Sequence, residues 1–360
     1  MNVVIVTDNQ YAQYAAVMLT SLYENTKQSN RIVLYVIFHD LSMSNQSQLL
    51  DLVKYYKSEI NFIEVKDNFG DFHEGAYVSR AAYLKINIPQ YLPQSEQKAL
   101  YLDGDIIVTS DILQFNDINL GDHYLAAVSD DNMFLADDLG ISVESYFNSG
   151  VILFNLEKWR DNDISSQIYE YVMSPYNKRN TCDQDAFNFV LWDKWLKLDR
   201  RYNYLLTNHI DIEEPIVFHY AARDKPWHVL YSGKYKELFL DYEKKCIWQD
   251  YSRQDMDLLM NHKIVIYGAS TAGVSAYEQL KEHSLEIQFF VDGDEQKHNT
   301  MKMNKPIYEI SVLKSLENSY VVIVPSTSYY DEMRVALESY SFYPLRICNK
   351  IFLKDELGVV

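Results

Sequence analysis

Two aspartates that interrupt an apolar run are the residues in this sequence whose type and spacing most directly suggest chemistry. The run Lys98-Ala-Leu-Tyr-Leu102 predicts a strand that leads into Asp103-Gly104-Asp105, and Ile106-Ile107-Val108 then resumes the apolar pattern. Residues two apart in extended backbone point to the same side, so we expect both carboxylates to face one way. Two hard oxygen ligands in that arrangement suit Mn²⁺ or Mg²⁺.

The placement of this pair, and not its spacing, distinguishes it from other acidic pairs. The same Asp-x-Asp spacing occurs at Asp161/Asp163, Asp183/Asp185, Asp255/Asp257 and Asp292/Asp294. In a chain with a net charge of −18, most such pairs are expected on the surface. Asp103 and Asp105 follow an apolar strand, where unpaired carboxylates would be costly to keep ionised without a cation or hydrogen-bond donors. We therefore predict a metal site at this pair.

A second segment with chemical potential lies near position 220. Residues 216–220 predict a strand that delivers His219, and Ala222, Lys225 and Pro226-Trp227 follow. An imidazole can complete a Mn²⁺ shell, backbone amides near Ala222 can approach phosphate oxygens, and Lys225 can neutralise a departing diphosphate. The residues alone leave open a plainer interpretation, a core histidine beside a surface lysine.

Two further clusters carry carboxylates and amides. Asp183-Gln184-Asp185 precedes apolar helix positions, where the helix dipole favours acids and where simple N-capping is the alternative. Phe147-Asn148-Ser149-Gly150 precedes a predicted strand, so the Asn148 amide could bind sugar hydroxyls or could shape a turn.

Strand and helix patterns alternate along the chain, which predicts an α/β fold with ligands bound beyond the carboxyl ends of the strands. Other strands are predicted at 3–6, 31–38, 60–65, 125–128 and 151–154, and helices at 44–56 and about 182–195. The order restarts after a helical linker at 231–261, which divides the chain into domains at 1–230 and 262–360. The second domain is predicted to have a strand at 264–267, a turn at 268–273, a helix to about 283, and strands at 287–291, 320–324 and 345–348.

Composition excludes several classes of protein. Of the 360 residues, 48% are apolar and 23% charged, which excludes a disordered chain. The 51 acidic groups outnumber the 33 basic ones, so the surface would repel nucleic-acid phosphates. There is neither an apolar run of about 20 residues nor a signal-peptide pattern at the start, so we expect a cytoplasmic protein without a transmembrane segment.

Taken together and in this order, the segments resemble family 8 of the retaining glycosyltransferases, which includes bacterial galactosyl- and glucosyltransferases. The resemblance covers roughly residues 1–230 and rests on Thr7-Asp8-Asn9-Gln10-Tyr11, Tyr101-Leu102-Asp103-Gly104-Asp105-Ile106, Phe147-Asn148-Ser149-Gly150-Val151, Asp183-Gln184-Asp185 and His219-x-x-Ala222-x-x-Lys225-Pro226-Trp227. It implies a GT-A fold with a mixed, mostly parallel sheet, a UDP-sugar donor, Mn²⁺ (or Mg²⁺) and a carbohydrate acceptor.

The resemblance also implies roles for single residues. Asp103, Asp105 and His219 would be the metal ligands. The donor would contact Thr7, Asp8, Gln10, Tyr11, Lys85, Asp103, Gly104, Ala222 and Lys225. The residues near the reacting sugar would be Gln184, Asp183, Asp130 and Asn148. Gln10, Lys85 and Ala222 depart from the family pattern, which has Asn, Arg and Gly at these positions.

The second domain resembles small Rossmann-like domains attached to some bacterial sugar-modifying enzymes. Its turn Gly268-Ala-Ser-Thr-Ala-Gly273 is followed by Asp292 at about the spacing of a ribose-binding acid, but Ser270 stands where a dinucleotide site has its middle glycine. The serine at this position disfavours NAD binding. Homo-oligomerisation, acceptor docking and a second nucleotide-linked site stay open as roles.

The sequence thus predicts a metal-dependent hexosyltransferase that uses UDP-glucose or UDP-galactose. The acceptor stays open among glycans, glycolipids and glycoproteins, and peripheral docking to a membrane is compatible with it. One alternative is a non-catalytic binding or scaffold protein on the same fold. Another is an aspartyl-nucleophile phosphatase that uses Mg²⁺, but that interpretation leaves His219 and Lys225 without roles.

Overall fold

The computed structural model describes residues 1–66, 84–131, 133–174, 183–207, 212–221, 224–231, 233–248, 254–326, 328–345, 348 and 350–354. The chain falls into two compact units. The first unit comprises Met1–Ala222 and Glu237–Asp250, and the second comprises Arg223–Lys236 and Tyr251–Val360.

The first unit contains two sheets with helices packed on them. Its strands are β1 (Asn2–Val6), β2 (Val33–Phe38), β3 (Glu59–Glu64), β4 (Lys98–Leu102), β5 (Ile106–Val108), β6 (Leu125–Ala127), β7 (Val151–Asn155), β8 (Trp195–Lys197), β9 (Tyr204–Leu205) and β10 (Val217–His219). Its helices are α1 (Ala12–Asn25), α2 (Met43–Tyr55), α3 (Ile88–Tyr91), α4 (Met133–Leu139), α5 (Leu156–Asp161), α6 (Ile164–Val172) and α7 (Asp183–Leu191). Helix α8 (Lys236–Lys245) begins at the boundary between the two units.

The larger sheet of this unit has the order β3-β2-β1-β4-β7-β6-β8. The pairs from β3 to β4 and the pair β6-β8 are parallel, whereas β7 runs antiparallel to both β4 and β6. A smaller sheet has the order β5-β10-β9. The predicted α/β class with a mixed, mostly parallel sheet is therefore confirmed.

Alternation along the strands places apolar side chains on both faces of the larger sheet. On β1, Val3 and Ile5 belong to a core that also contains Leu19 of α1, whereas Val4 belongs to a second core on the other face with Trp159 of α5. All are at most 1% exposed. A strand buried on both faces needs the continuous apolar run that the sequence shows here.

The second unit is built around one sheet. Its strands are β11 (Lys263–Tyr267), β12 (Ile287–Asp292), β13 (Met301–Lys302), β14 (Lys305–Glu309), β15 (Tyr320–Ile323), β16 (Phe342–Pro344) and β17 (Ile351–Lys354). The sheet has the order β13-β14-β12-β11-β15-β17-β16, with β14, β12, β11 and β15 parallel. The helices are α9 (Gln254–Asn261), α10 (Thr271–Glu282) and α11 (Tyr330–Glu338).

The strands predicted at 98–102 and 106–108 are confirmed, but two other predicted elements are wrong in part. The helix predicted to reach Trp195 ends at Leu191, and Trp195 instead begins β8. Trp195 packs into the core from the edge strand β8, just as an apolar residue of a helix would. The helical spacing of apolar residues therefore continues past the end of the helix, although the helix itself does not.

The strand predicted at 345–348 is the second error at its two described positions, and residues 346 and 347 lie outside the described residues. The Leu345 N–H donates to the Ile351 carbonyl and the Ile351 N–H donates to the Cys348 carbonyl, so Leu345 and Cys348 lie in the connection from β16 to β17. Leu345 and Cys348 pack against the core from this connection, which explains their apolar character.

Among the described residues, no helix combines the length and the apolar character that a membrane crossing requires.

A close approach of backbone at the start of α10 generates a stability prediction. A Cβ atom on Gly273 would lie 1.8 Å from the carbonyl oxygen of Gly268, so the turn or the helix would have to move. We expect Gly273→Ala to lower the free energy of unfolding of the second unit by more than about 2 kcal/mol. Differential scanning calorimetry of the full chain would measure the shift in the unfolding transition of the second unit.

Gly293→Ala is the matched control, because a Cβ there would meet no atom closer than 3.7 Å. Its transition should stay within about 0.5 kcal/mol of the wild type. Equal destabilisation by both substitutions would contradict the steric explanation.

Candidate active site

The two acids lie where the chain leaves one sheet of the first unit and enters the other. Asp103 follows β4, and its N–H donates to the Gly150 carbonyl at 2.9 Å. Asp105 precedes β5, which pairs antiparallel with β10, and β10 ends at His219. The Tyr220 N–H extends this pairing by donating to the Asp105 carbonyl at 3.0 Å. Backbone pairing therefore brings positions far apart in sequence to one place.

Asp103, Asp105 and His219, the set that the family resemblance implies, lie close together. The Nε2 atom of His219 lies 3.3 Å from Asp105 Oδ1 and 3.7 Å from Asp103 Oδ2. One ligand atom from each residue can be chosen so that all lie within 4.8 Å of one another. A Cβ on Gly150 would lie 2.2 Å from His219 Cε1 and 2.6 Å from Asp103 Oδ2, so only glycine fits beside this cluster.

Asp103 is held by two further side chains. The Tyr101 hydroxyl donates to Asp103 Oδ1. Burial, and next the charge of Asp103, raise the pKa of Tyr101 well above its usual value, so this hydroxyl keeps its proton and stays a donor. The ammonium of Lys85 lies 3.7 Å from Asp103 Oδ1 and 4.8 Å from the centre of the Tyr101 ring.

Lys85 is buried and forms an ion pair. Its Nζ lies 2.5 Å from Asp183 Oδ2 and donates to the carbonyl and the hydroxyl of Ser149 at 3.1 and 3.2 Å. The Ser149 hydroxyl in turn donates to Asp183 Oδ2 at 3.1 Å. A buried charge pair of this kind fixes both partners, because removal of one would leave the other uncompensated.

Gln184 makes all four hydrogen bonds that a carboxamide can make. Its Oε1 accepts from the Ser149 N–H at 3.1 Å and from the Asn148 side chain at 3.0 Å. Its Nε2 donates to Asp130 Oδ2 at 3.0 Å and to the Tyr146 hydroxyl at 3.2 Å. Four residues singled out in the sequence, namely Asp130, Asn148, Asp183 and Gln184, thus lie in one connected group.

Asn203, which no sequence motif indicated, connects this group to His219. Its side-chain nitrogen donates to Asn148 Oδ1 at 2.9 Å, and its Oδ1 lies 2.9 Å from His219 Nδ1. Asn148 Oδ1 also accepts from the Gly150 N–H at 3.0 Å. The hydroxyl of Tyr101 was also missed, although Tyr101 precedes Asp103 by two residues, the spacing that places side chains on one side of extended backbone.

The loop after β1 contains the other predicted donor contacts of this unit. Thr7 is buried and its N–H donates to the backbone of β2 at 3.2 Å. Asp8 Oδ1 accepts from the N–H groups of Gln10 and Tyr11 at 3.0 and 2.8 Å, which shapes the entry to α1. The Tyr11 ring is 42% exposed and therefore accessible for stacking. A Cβ on Gly104 would lie 3.7 Å from α1.

Two predicted donor contacts fall outside the described part of the first unit. Lys225 belongs to the second unit, where its N–H donates to His228 Nδ1 at 3.2 Å. Ala222 lies outside the described residues.

In the second unit, the acid singled out beside the glycine turn is bound by its own chain. Asp292 Oδ2 accepts from the Ala269 N–H at 2.7 Å and Oδ1 from the Asp294 N–H at 2.9 Å. The Lys297 ammonium lies 3.1–3.2 Å from both oxygens. Burial alone would raise the pKa of Asp292, but these hydrogen bonds lower it overall.

Comparison with known proteins finds one family profile in each part of the sequence. The profile of glycosyl transferase family 8 matches residues 2–230. A second profile, described as C2185-like, N-terminal, matches residues 260–347.

Similar proteins include glycosyltransferases that span most of this chain. Glycosyltransferase GlyB of Streptococcus pneumoniae is 27% identical over 363 residues, which cover 95% of this chain and 85% of GlyB. The crystal structure of galactosyltransferase LgtC in complex with donor and acceptor sugar analogues is similar with a TM-score of 0.62 and 26% identity, covering 69% of this chain and 97% of that one.

The crystal structure of glycosyltransferase GlyE of Streptococcus pneumoniae covers 94% of this chain and 99% of its own, with a TM-score of 0.55. At 19% identity this similarity concerns the fold alone. The family profile covers well over half of the sequence and LgtC shares the fold of the matched region, so the chain belongs to glycosyltransferase family 8 and is a glycosyltransferase of the GT-A fold.

Proposed function

We propose that this protein is a metal-dependent, retaining glycosyltransferase that moves a hexose, glucose or galactose, from a UDP-sugar to a hydroxyl of a glycan, glycolipid or glycoprotein. The observation that carries the proposal is the convergence of Asp103, Asp105 and His219 within 4.8 Å. The similar LgtC structure contains donor and acceptor sugar analogues, which supports the substrate class.

The residues present fit a divalent cation. Two carboxylates and an imidazole are the hard oxygen and borderline nitrogen ligands that Mn²⁺ accepts. Asp103 and Asp105 would repel one another without a positive charge between them, and the Lys85 ammonium lies closer to Asp183, at 2.5 Å, than to Asp103, at 3.7 Å. When bound, the cation would neutralise negative charge that develops on the departing diphosphate.

The remaining donor contacts follow from exposure and charge. The exposed ring of Tyr11 would stack on the uracil, and Asp8 would accept a hydrogen bond from it. Asp183, held by Lys85, would accept from hydroxyls of the sugar. Lys225 would supply a further positive charge to the diphosphate.

Hydrogen bonding argues that Gln184 positions groups and does not attack the sugar. Both lone pairs of its Oε1 are used by Ser149 and Asn148, and both of its N–H groups donate. A carboxamide is also a poor nucleophile. In the proposed reaction the anomeric bond to the diphosphate breaks, the acceptor oxygen bonds to the same face, and the departing UDP takes the hydroxyl proton.

Family membership removes the phosphatase interpretation, and the competing proposal is a non-catalytic protein on the same fold. The complete set of Asp103, Asp105 and His219 favours an enzyme, because a binding protein would not need to keep all three ligands. Turnover of a UDP-sugar separates the two.

The first test of the proposal is the metal site. Asp105→Asn keeps the size of the side chain but removes one charged ligand. We expect it to lower Mn²⁺-dependent release of UDP from the preferred UDP-sugar by at least about 100-fold, since outer and inner ligands each contribute strongly to metal affinity. UDP release would be measured with UDP-glucose and UDP-galactose, with Mn²⁺ or with EDTA.

Asp161→Asn provides the matched control, because Asp161 belongs to an exposed Asp-x-Asp pair. It should release UDP at the wild-type rate. Release that is insensitive to EDTA, or lost equally in both variants, would count against metal dependence at Asp103 and Asp105.

A second test concerns Gln184 and pH. Gln184→Glu places a carboxylate where the amide donates to Asp130 Oδ2 at 3.0 Å. Two carboxylates so close share one proton, and the pKa of the pair rises. We expect transfer by this variant to be about 100-fold below wild type at alkaline pH and to recover as pH falls through the raised pKa, where protonation restores a donor.

Gln184→Met serves as the control, because it has similar length but no group that titrates. Its rate should be low without the recovery at acidic pH. Rates of UDP release across the neutral range would be compared for the three proteins, and an identical pH dependence in both variants would refute the shared-proton explanation.

A further inference from the structure

The side-chain amides of the active site have an orientation that the backbone dictates. A backbone N–H can only donate, so each amide oxygen that it contacts is identified without ambiguity. The Gly150 N–H identifies Asn148 Oδ1 at 3.0 Å, and the Ser149 N–H identifies Gln184 Oε1 at 3.1 Å. These two assignments agree, because the Asn148 nitrogen then donates to Gln184 Oε1 at 3.0 Å.

The same logic extends to Asn203. Since Asn148 Oδ1 is an acceptor, the atom of Asn203 that lies 2.9 Å from it must be the side-chain nitrogen. The carbonyl oxygen of Asn203 is then the atom that faces His219 Nδ1 at 2.9 Å. An oxygen acceptor at that distance requires a proton on Nδ1, because two acceptors would repel.

The reverse arrangement would break several contacts at once. A proton on Nε2 alone would leave the Nδ1 lone pair facing Asn203, and Asn203 would have to flip to donate to it. The flipped oxygen would then face Asn148 Oδ1 at 2.9 Å. Flipping Asn148 as well would turn its nitrogen toward the Gly150 N–H.

Burial makes these contacts decisive. Asn203 is 1% exposed, His219 2% and Asn148 5%, so solvent offers little replacement for a lost partner. A buried polar group that loses its partner destabilises the arrangement that strands it.

We propose that Asn203 is a positioning residue that holds the proton of His219 on Nδ1, so that the Nε2 lone pair faces Asp103 and Asp105 as a ligand for a divalent cation. The inference rests on the proposed function for the identity of that ligand. Asn203 acts through His219 and belongs to a class of partners that orient metal-binding imidazoles.

Two substitutions at position 203 and one at position 25 separate an effect on the proton position of His219 from an effect on the stability of the fold. Asn203→Leu removes the acceptor, whereas Asn203→Asp keeps an acceptor for Nδ1 but cannot donate to Asn148. Asn25→Leu is the control, because the Asn25 side-chain nitrogen also lies within hydrogen-bond distance of buried groups, namely the Ser21 and Val108 carbonyls and the Tyr242 hydroxyl, and these are separate from the group around His219.

Two readouts on the full-length chain test the proposal. The tautomer of His219 is read from ¹⁵N NMR of the metal-free, histidine-labelled protein at mildly alkaline pH, with signals assigned by their loss in His219→Gln. Mn²⁺ affinity is read from the electron paramagnetic resonance signal of free Mn²⁺ in the presence of UDP.

We expect a proton on Nδ1 in wild type and in Asn203→Asp, with Mn²⁺ affinities within about threefold of each other. Asn203→Leu should mix the tautomers and weaken Mn²⁺ binding about 10- to 100-fold. Asn25→Leu should change neither readout, even where it lowers thermal stability.

A wild-type spectrum without a proton on Nδ1 would overturn the proposal, and so would a folded Asn203→Leu variant with unchanged Mn²⁺ affinity and spectrum. If Asn203→Leu does not fold, the spectra of wild type and Asn203→Asp still decide the matter. If wild type binds no Mn²⁺, the proposed function fails on its own, while the metal-free spectrum still tests whether Asn203 fixes the proton.

Discussion

The geometry of this active site depends on two backbone hydrogen bonds at the crossing from β4 to β5. One ties Asp103 to Gly150 at the start of β7, and the other ties Asp105 to Tyr220 at the end of β10. Ladder hydrogen bonds fix backbone direction, so the directions of both carboxylates are set before their side chains find partners. The second bond also places His219 beside them. Without this crossing, the three candidate ligands would have no common location.

A single row of hydrogen bonds extends from these ligands to the group around Gln184. It runs from His219 through Asn203 and Asn148 to Gln184 and ends at Asp130. Each link adds only about 1 kcal/mol, but a broken link leaves a buried partner unsatisfied. The proposed metal-ligand end and the proposed sugar end of the site are therefore not independent, because a change at one end alters the hydrogen bonds that arrange the other.

What the sequence could predict was local. An apolar run interrupted by acids identifies a strand end, which is why Asp103 and Asp105 could be placed correctly. Partners distant in sequence left no such signal: Asn203 and Asn148 are 55 residues apart, and the ion pair of Lys85 with Asp183 forms between separate elements. Over a few residues, a helix and a strand can bury the same apolar positions. Periodicity alone therefore assigned Trp195 to a helix, although it begins a strand.

In the second unit, a turn and an acid that are spaced like a dinucleotide-binding motif stabilise the fold. A ribose-binding acid must present a carboxylate oxygen to its ligand, but both oxygens of Asp292 accept from its own chain, at Ala269, Asp294 and Lys297. A ribose hydroxyl would have to compete with two backbone N–H groups and an ammonium. The bond to Ala269 instead fastens the glycine-containing turn to the end of β12. Turn and acid together stabilise the junction between β11 and α10, and this accounts for their spacing without a dinucleotide.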